Sequence, residues 1–347
     1  MLTKSESLQL KGAAILIMVF LHLFLNPSNV ALCHNFIFLG GGGGKPIVNQ
    51  LVKFAGICVG LYLFLSGYGL YITYQRNPNI QPWKRIVKLY LNFWIVFAIF
   101  ISLGAWLYPN RYPESWTAFL NNVTGWHTTY NGEWWFLFPY VLLVLSAKWI
   151  FRVINRLDFV KLVLLVGAIF VVSYLTIWLN RSYLYTHQLA YMPILYVSTL
   201  SSFAIGAIFV KYDIAAQLRE RIPIRSIGGN ILAILVFILL LVLRAMSPID
   251  AVNIIYLVLF VSWFIVIRKA RWVIWCLEKL GGESTNMWLV HTFFCYYLFH
   301  DWIYGFKYPI VIYAVTVLVS YFTGYLIDKV NHPVQRYVIG KLWKTTK

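Results

Sequence analysis

Lys11-Gly-Ala-Ala-Ile-Leu-Ile-Met-Val-Phe-Leu-His22 is an apolar run with a cation at its start and a lone histidine at its end. Read as a helix, the two polar residues are eleven positions apart, about three turns, so they share one face. At about 1.5 Å per residue, His22 lies about 16 Å beyond Lys11 along the axis. With Lys11 at a membrane surface, His22 is near the bilayer midplane, where an imidazole is costly unless it faces a polar cavity. His22 is therefore a candidate functional residue. The alternative is a histidine that hydrogen-bonds a neighbouring helix and only packs it.

The rest of the chain fits a membrane setting. Of 347 residues, 61% are hydrophobic, 18% aromatic and only 12% charged. Soluble domains carry about a quarter charged residues, so a polytopic membrane protein is expected. A net charge of +18 would point to nucleic acid in a soluble protein. Here the cations fall in short gaps between apolar runs, which points instead to topology and anionic lipid, with no nucleic-acid partner. Cys33, Cys58, Cys276 and Cys295 are widely spaced and apolar-flanked, so neither a disulfide framework nor a metal site is expected. No small-residue cleavage site follows the first apolar run, which reads as a transmembrane helix rather than a signal peptide.

The predicted fold class is an all-α integral membrane bundle of about ten transmembrane helices: 8–26, 53–74, 87–108, 134–151, 159–179, 190–210, 228–245, 251–268, 284–300 and 308–327. Cations cluster in alternate gaps. Lys4 and Lys11 lie in the first tail and the opening turn of the first span; Arg76, Lys84, Arg85 and Lys88 follow the second; Lys148, Arg152, Arg156 and Lys161 surround the end of the fourth. Lys211, Arg219, Arg221 and Arg225 come after the sixth, Arg268, Lys269, Arg271 and Lys279 after the eighth, and Lys329 and Arg336 near the end. The intervening gaps hold few, among them Arg111 and Arg244. This positive-inside pattern predicts that both termini are cytoplasmic. No soluble domain is expected, so 1–347 reads as one membrane-embedded domain. The longest gaps, 27–52 and 109–133, fall outside. The first holds Gly40 to Gly44, a flexible loop. The second leads through Trp116, Trp126 and His127 to Trp134 and Trp135, which read as an interfacial belt or as a platform for sugar rings.

Several short constellations could carry chemistry. Leu63-Phe64-Leu65-Ser66-Gly67-Tyr68-Gly69 offers small residues for close helix packing, or a Ser66 lining a cavity beside His22. Pro82 opens a helix that places Arg85 and Lys88 on one face near its N-terminus. That is an anion site for nucleotide-like phosphates or lipid headgroups, or simple anchoring. Glu133, in Asn131-Gly132-Glu133-Trp134-Trp135-Phe136, is an acid at the external mouth; it ends a loop or orients a histidine or substrate hydroxyl. Leu280-Gly281-Gly282-Glu283-Ser284 leads to His291, with Ser284 and His291 on one face and His291 about 12 Å inside a helix starting near 283. Two intramembrane histidines at similar depth could meet. No nucleophile elbow, phosphate-binding loop, zinc or dinucleotide fingerprint occurs. The spans hold no row of acids, which argues against a cation-coupled transporter.

In their order and spacing, Leu10-Lys11-Gly12 with His22, Leu63 to Tyr68, Lys84 to Lys88, Trp134 to Leu137, and Leu280-Gly281 with Ser284 and His291 resemble the acyltransferase 3 family of membrane O-acyltransferases over about 6–330. The resemblance implies a ten-helix bundle that moves an acyl group, usually acetyl, from cytoplasmic acyl-CoA to a hydroxyl of a cell-surface or lipid-linked glycan. It implies a multi-pass protein of the bacterial inner or plasma membrane, with acetyl-CoA as donor, no metal, and polysaccharide-assembly proteins as further partners. It makes His22 the leading catalytic residue, as general base or transient acyl carrier, with Ser66, Glu133 and His291 behind it. Lys11, Arg85 and Lys88 become the binders of the coenzyme phosphates. The family usually carries arginine where Lys11 and Lys88 stand, and lysine lacks the guanidinium fork. Many members carry a fused extracytoplasmic hydrolase-like domain, which is not expected here. A non-enzymatic glycan translocase, or a subunit of a polysaccharide exporter, is the alternative reading.

Overall fold

The computed structural model describes residues 1–34 and 47–344. The Gly40 to Gly44 loop lies outside the described residues. Among those described, the chain is helical, with no strand. In order come α1 (Lys4–Phe24), α2 (Pro27–Ala31), α3 (Ile47–Leu51), α4 (Cys58–Arg76), α5 (Pro82–Leu107), α6 (Trp116–Thr124), α7 (Leu137–Arg156) and α8 (Phe159–Leu179). There follow α9 (Arg181–Thr186), α10 (Gln188–Lys211), α11 (Ile214–Arg221), α12 (Ile227–Met246), α13 (Asn253–Val266), α14 (Arg271–Thr292), α15 (His300–Tyr304) and α16 (Pro309–Lys344).

Eight of the ten predicted spans are helices long and apolar enough to cross a bilayer. The eighth is a shorter apolar helix, Asp250–Val266. The ninth differs most. Its helix, α14, begins at Arg271 rather than near 284 and closes in a wide π-type turn, Phe293–Tyr297. Arg271, Glu278 and Lys279 lower the hydropathy of its first half, which reads as a gap although its helix pattern continues. The ends are set by local chemistry. Thr3 and Glu6 form a reciprocal capping box at α1, with Glu6 N donating to Thr3 Oγ1 (3.1 Å) and Thr3 N to Glu6 Oε2 (2.8 Å). Pro27 and Pro82 occupy first turns, Asp158 accepts from Lys161 N at α8, and Gly125 ends α6 at φ +74°.

The chain divides into two compact units, 1–80 with 147–282 and 81–146 with 283–347. The first is built on glycine seams. A Cβ on Gly67 of α4 would stand 1.9 Å from Phe203 O of α10, and one on Gly206 of α10 would stand 2.0 Å from Phe64 O. The two backbones therefore touch, as small residues allow in membrane packing. A second seam joins α1 to α14: Gly12 faces Leu277 O and Gly281 faces Leu8 O, with added Cβ atoms 2.1 and 2.0 Å from those oxygens. Gly12 and Gly281 belong to two of the motifs singled out from sequence; each marks a close backbone approach.

Cations of this unit also do structural work. Lys211 Nζ donates to Ile154 O (2.8 Å) and Leu157 O (2.6 Å) at the end of α7. Lys269 Nζ donates to Phe264 O (2.5 Å) and Ile267 O (3.1 Å) at the end of α13, and burial pulls its ammonium down to about 8. Arg244, one of the sparse cations of the intervening gaps, is only 1% exposed. Its guanidinium donates to Asn253 Oδ1 (2.7 Å), Ser247 O (3.2 Å) and Asp250 Oδ1 (2.9 Å), tying α12 to α13. Arg244→Met is expected to destabilise the protein by about 3 kcal/mol. Arg244→Lys should recover little, because an ammonium cannot reach three partners as a fork does. Thermal unfolding of the purified variants checks this; an unchanged midpoint for Arg244→Met would refute the anchoring role.

In the second unit, Asn286 of α14 is the hub. It accepts from Asn92 Nδ2 of α5 and donates to Gly324 O of α16 (3.0 Å) and Glu283 Oε2 (3.2 Å). Phe100 stacks on Phe293 with ring centres 4.5 Å apart. A buried amide with every contact satisfied fixes three helices in one register.

Candidate functional site

Helix α1 is uninterrupted from Lys4 to Phe24, so Lys11 and His22 do share a face. It extends seven residues ahead of Lys11, and His22 falls in its last turn, about 27 Å from the first residue. Both side chains are partly exposed. His22 thus stands near the end of a helix whose opposite end carries the capping box.

Ser66 is not beside it. Leu2 N donates to Tyr68 OH, and Phe20 stacks on Phe54 at 5.7 Å, so α1 and α4 run antiparallel. Ser66 is therefore level with the start of α1, about 20 Å along the axis from His22. Its neighbour Gly67 is a contact of the α4–α10 seam, while Gly69 has no atom within 4 Å of an added Cβ. Packing, rather than a cavity shared with His22, accounts for this motif.

Arg85, Lys88, Glu133 and His291 belong to the second unit. Arg85 and Lys88 are exposed in the first two turns of α5, and Lys88 O accepts from Gln335 Nε2 of α16 (3.1 Å). Glu133 and His291 are drawn into one cluster. The short turn Gly132–Phe136 lies against the last turns of α14. Trp134 Nε1 donates to Leu289 O (3.0 Å), and Trp288 Nε1 donates to Glu133 O (3.1 Å). Asn131 and Thr292 exchange two hydrogen bonds (2.8 and 3.0 Å). Trp134 is fully buried between Phe93 and Phe293, so it belongs to the core and not to an interfacial belt; Trp116, 78% exposed, keeps that reading.

His291 is fully buried, and it is the last residue but one of α14, about 30 Å from the helix start rather than 12 Å. Its Nδ1 lies 2.9 Å from both Met287 O and Trp288 O. Carbonyls only accept, so Nδ1 carries the proton and Nε2 is the basic nitrogen. Ser284, seven residues before it, is buried as well. Asn131, Thr292, Asn92 and Asn286 are also part of the polar interior of this unit. Their partners are up to 194 positions away in the chain, so no local motif shows the pairings.

Beyond the end of α5, Arg111 packs over the rings of Tyr297 (4.6 Å) and Tyr112 (5.4 Å). Burial pushes the Tyr112 phenol up to about 12, against the pull of the neighbouring guanidinium. Tyr297 OH accepts from Gly132 N (2.9 Å), one residue before Glu133. Among the described residues, no three His, Cys, Asp or Glu side chains gather as a metal site.

This geometry offers a helix with a cation and a histidine on one face, and a second polar cluster around a carboxylate and a tautomer-fixed histidine. Acid–base chemistry on a hydroxyl needs such groups. No curated protein and no solved structure matches the chain. The family model described as an acyltransferase domain matches residues 9–328, nearly the whole chain and all the motifs named above. The chain belongs to the acyltransferase 3 family and is a membrane acyltransferase.

Proposed function

We propose that the protein transfers an acyl group, acetyl first among the candidates, from cytoplasmic acyl-CoA to a hydroxyl of a cell-surface or lipid-linked glycan. The observation that carries this is the single unbroken α1, with Lys11 and His22, both inside the matched residues, on one face about 16 Å apart. Both termini are cytoplasmic in this scheme, and the membrane is the bacterial inner or plasma membrane. Lys11, Arg85 and Lys88 bind the coenzyme phosphates as point charges and a fork. His22 takes the proton of the acceptor hydroxyl as its oxygen attacks the thioester carbonyl, and the coenzyme leaves as the thiol after taking up a proton. Glu133 and His291 serve the acceptor side.

Proteoliposomes of the whole protein, supplied with radiolabelled acetyl-CoA and crude cell-surface glycan, test the scheme. Label is expected in glycan. Label in neither glycan nor protein, with longer acyl donors tried as well, would overturn it in favour of a translocase.

A further inference from the structure

A cavity of about 650 Å³ opens on the second unit, where the chain leaving α5 (107–111) meets the π-type turn and α15 (296–302). Its size is that of ligand sites, with room for a short oligosaccharide. The π-type turn shapes its floor. Leu298 N and Phe299 N both reach back to Phe293 O (2.8 and 3.1 Å), and Tyr296 and Tyr297 line the wall. Such turns are rare and concentrate at functional sites.

Three features of the lining define what would fit. Arg111 is held on the faces of Tyr297 and Tyr112, and no described carboxylate forms an ion pair with it. A guanidinium positioned this way presents its donor edge to a carboxylate or phosphate. Trp302 and Tyr108, 51% and 46% exposed, offer flat apolar faces of the kind that cover sugar rings. Asp301, fully exposed and bonded to His300 Nδ1 (2.9 Å), offers acceptor oxygens for hydroxyl donors. A bare anion or a lipid phosphate has a use for Arg111 but none for Asp301, whose charge would repel it. A ligand with one anionic group and several hydroxyls uses both.

We propose that this cavity is an acceptor subsite for an acidic glycan, and that Arg111 reads the carboxylate or phosphate on one of its sugars. The proposal deepens the acyltransferase reading and rests on it. Tyr297 carries the link: it lines the cavity and accepts from Gly132 N, so a glycan seated here lies beside the segment that bears Glu133.

Titration calorimetry on the whole protein in phosphatidylcholine nanodiscs tests it, with sialyllactose, a galacturonic acid trimer and mannose 6-phosphate as acidic probes and lactose as the neutral one. At least one acidic probe is expected to bind about tenfold more tightly than lactose. Arg111→Gln should bring that preference to within about twofold, and Arg111→Lys should keep part of it. Asp301→Asn, at a fully exposed position, should weaken acidic and neutral sugars alike. No acidic preference in the wild type, or a preference that survives Arg111→Gln, would overturn the proposal. Loss of binding in phosphatidylglycerol nanodiscs would assign the cavity to a lipid headgroup and overturn it as well. Binding is read without turnover, so the two readings fail separately. Acidic-glycan binding without label transfer leaves the subsite standing and removes the transferase scheme; transfer without acidic preference does the reverse.

Discussion

His22→Ala is expected to lower acyl transfer by at least about a hundredfold while leaving the protein folded. General base catalysis contributes about 10² to 10⁴ in rate, and an alanine at this position leaves no group to take the hydroxyl proton. Folding should survive because His22 lies partly exposed in the last turn of α1 and away from the glycine seam at Gly12. The measurement is label transfer per mole of protein at matched expression, beside thermal unfolding of the same preparation. His291→Ala is the informative companion. His291 is fully buried, with Nδ1 committed to two carbonyls of its own helix, so its loss should lower stability as well as rate. A fully active His22→Ala with an inactive, folded His291→Ala would move the chemistry to the cluster around Glu133.

Gly67→Ala is expected to be the most damaging of the small substitutions, and Gly69→Ala, two residues along the same helix, to be harmless. At Gly67 the new methyl would sit 1.9 Å from Phe203 O and 2.8 Å from its carbon. Nothing flexible stands there to move aside, so α4 and α10 must separate by more than an ångström. That loosens the reciprocal contact at Gly206 and the packing of Phe64 on Phe209 (5.0 Å). Overpacking against backbone costs about 3 kcal/mol or more. At Gly69 the space is open, and alanine's better helix propensity should leave stability unchanged or raise it by up to about 1 kcal/mol. Folded yield by size exclusion and the unfolding midpoint in detergent both read the contrast. Equal behaviour of the two variants would mean that the seam does not hold the helices at this distance.

The helices were legible in the sequence where composition alone decides them: Phe159–Leu179 matches its predicted limits because Lys161, in its first turn, is its one charged residue and Asp158 and Asn180 flank it. Where a helix mixes charge with apolar surface, hydropathy fails: α14 starts at Arg271 rather than near 284, a miss of about three and a half turns. The motif glycines were visible as residues, but their meaning was not. Which carbonyl faces Gly12 or Gly67 depends on a helix more than a hundred positions away. Trp134 shows the same limit. A tryptophan beside an external loop reads as a belt residue, and only the Leu289 carbonyl 155 positions on places it in the core. The pairing of Glu133 with the end of α14, and the cradle around Arg111, are likewise long-range facts. Glu133 and His291 were named from sequence but could not be joined by spacing, and the rings of Tyr112 and Tyr297 under Arg111 were not named at all.

Lys211 and Lys269 sit in the charged gaps from which orientation was predicted, and each is also bonded to the final carbonyls of a helix. One residue therefore serves two readers at two stages of its life: the insertion machinery, which senses charge before the chain has folded, and the finished protein, which senses geometry. Charge-swap mapping at these two positions would disturb both at once. A reporter that changes sides after such a swap would not separate a flipped segment from a collapsed one. Arg76 and Arg225, for which no such carbonyl bond occurs among the described residues, are the cleaner places to ask which way the chain is threaded.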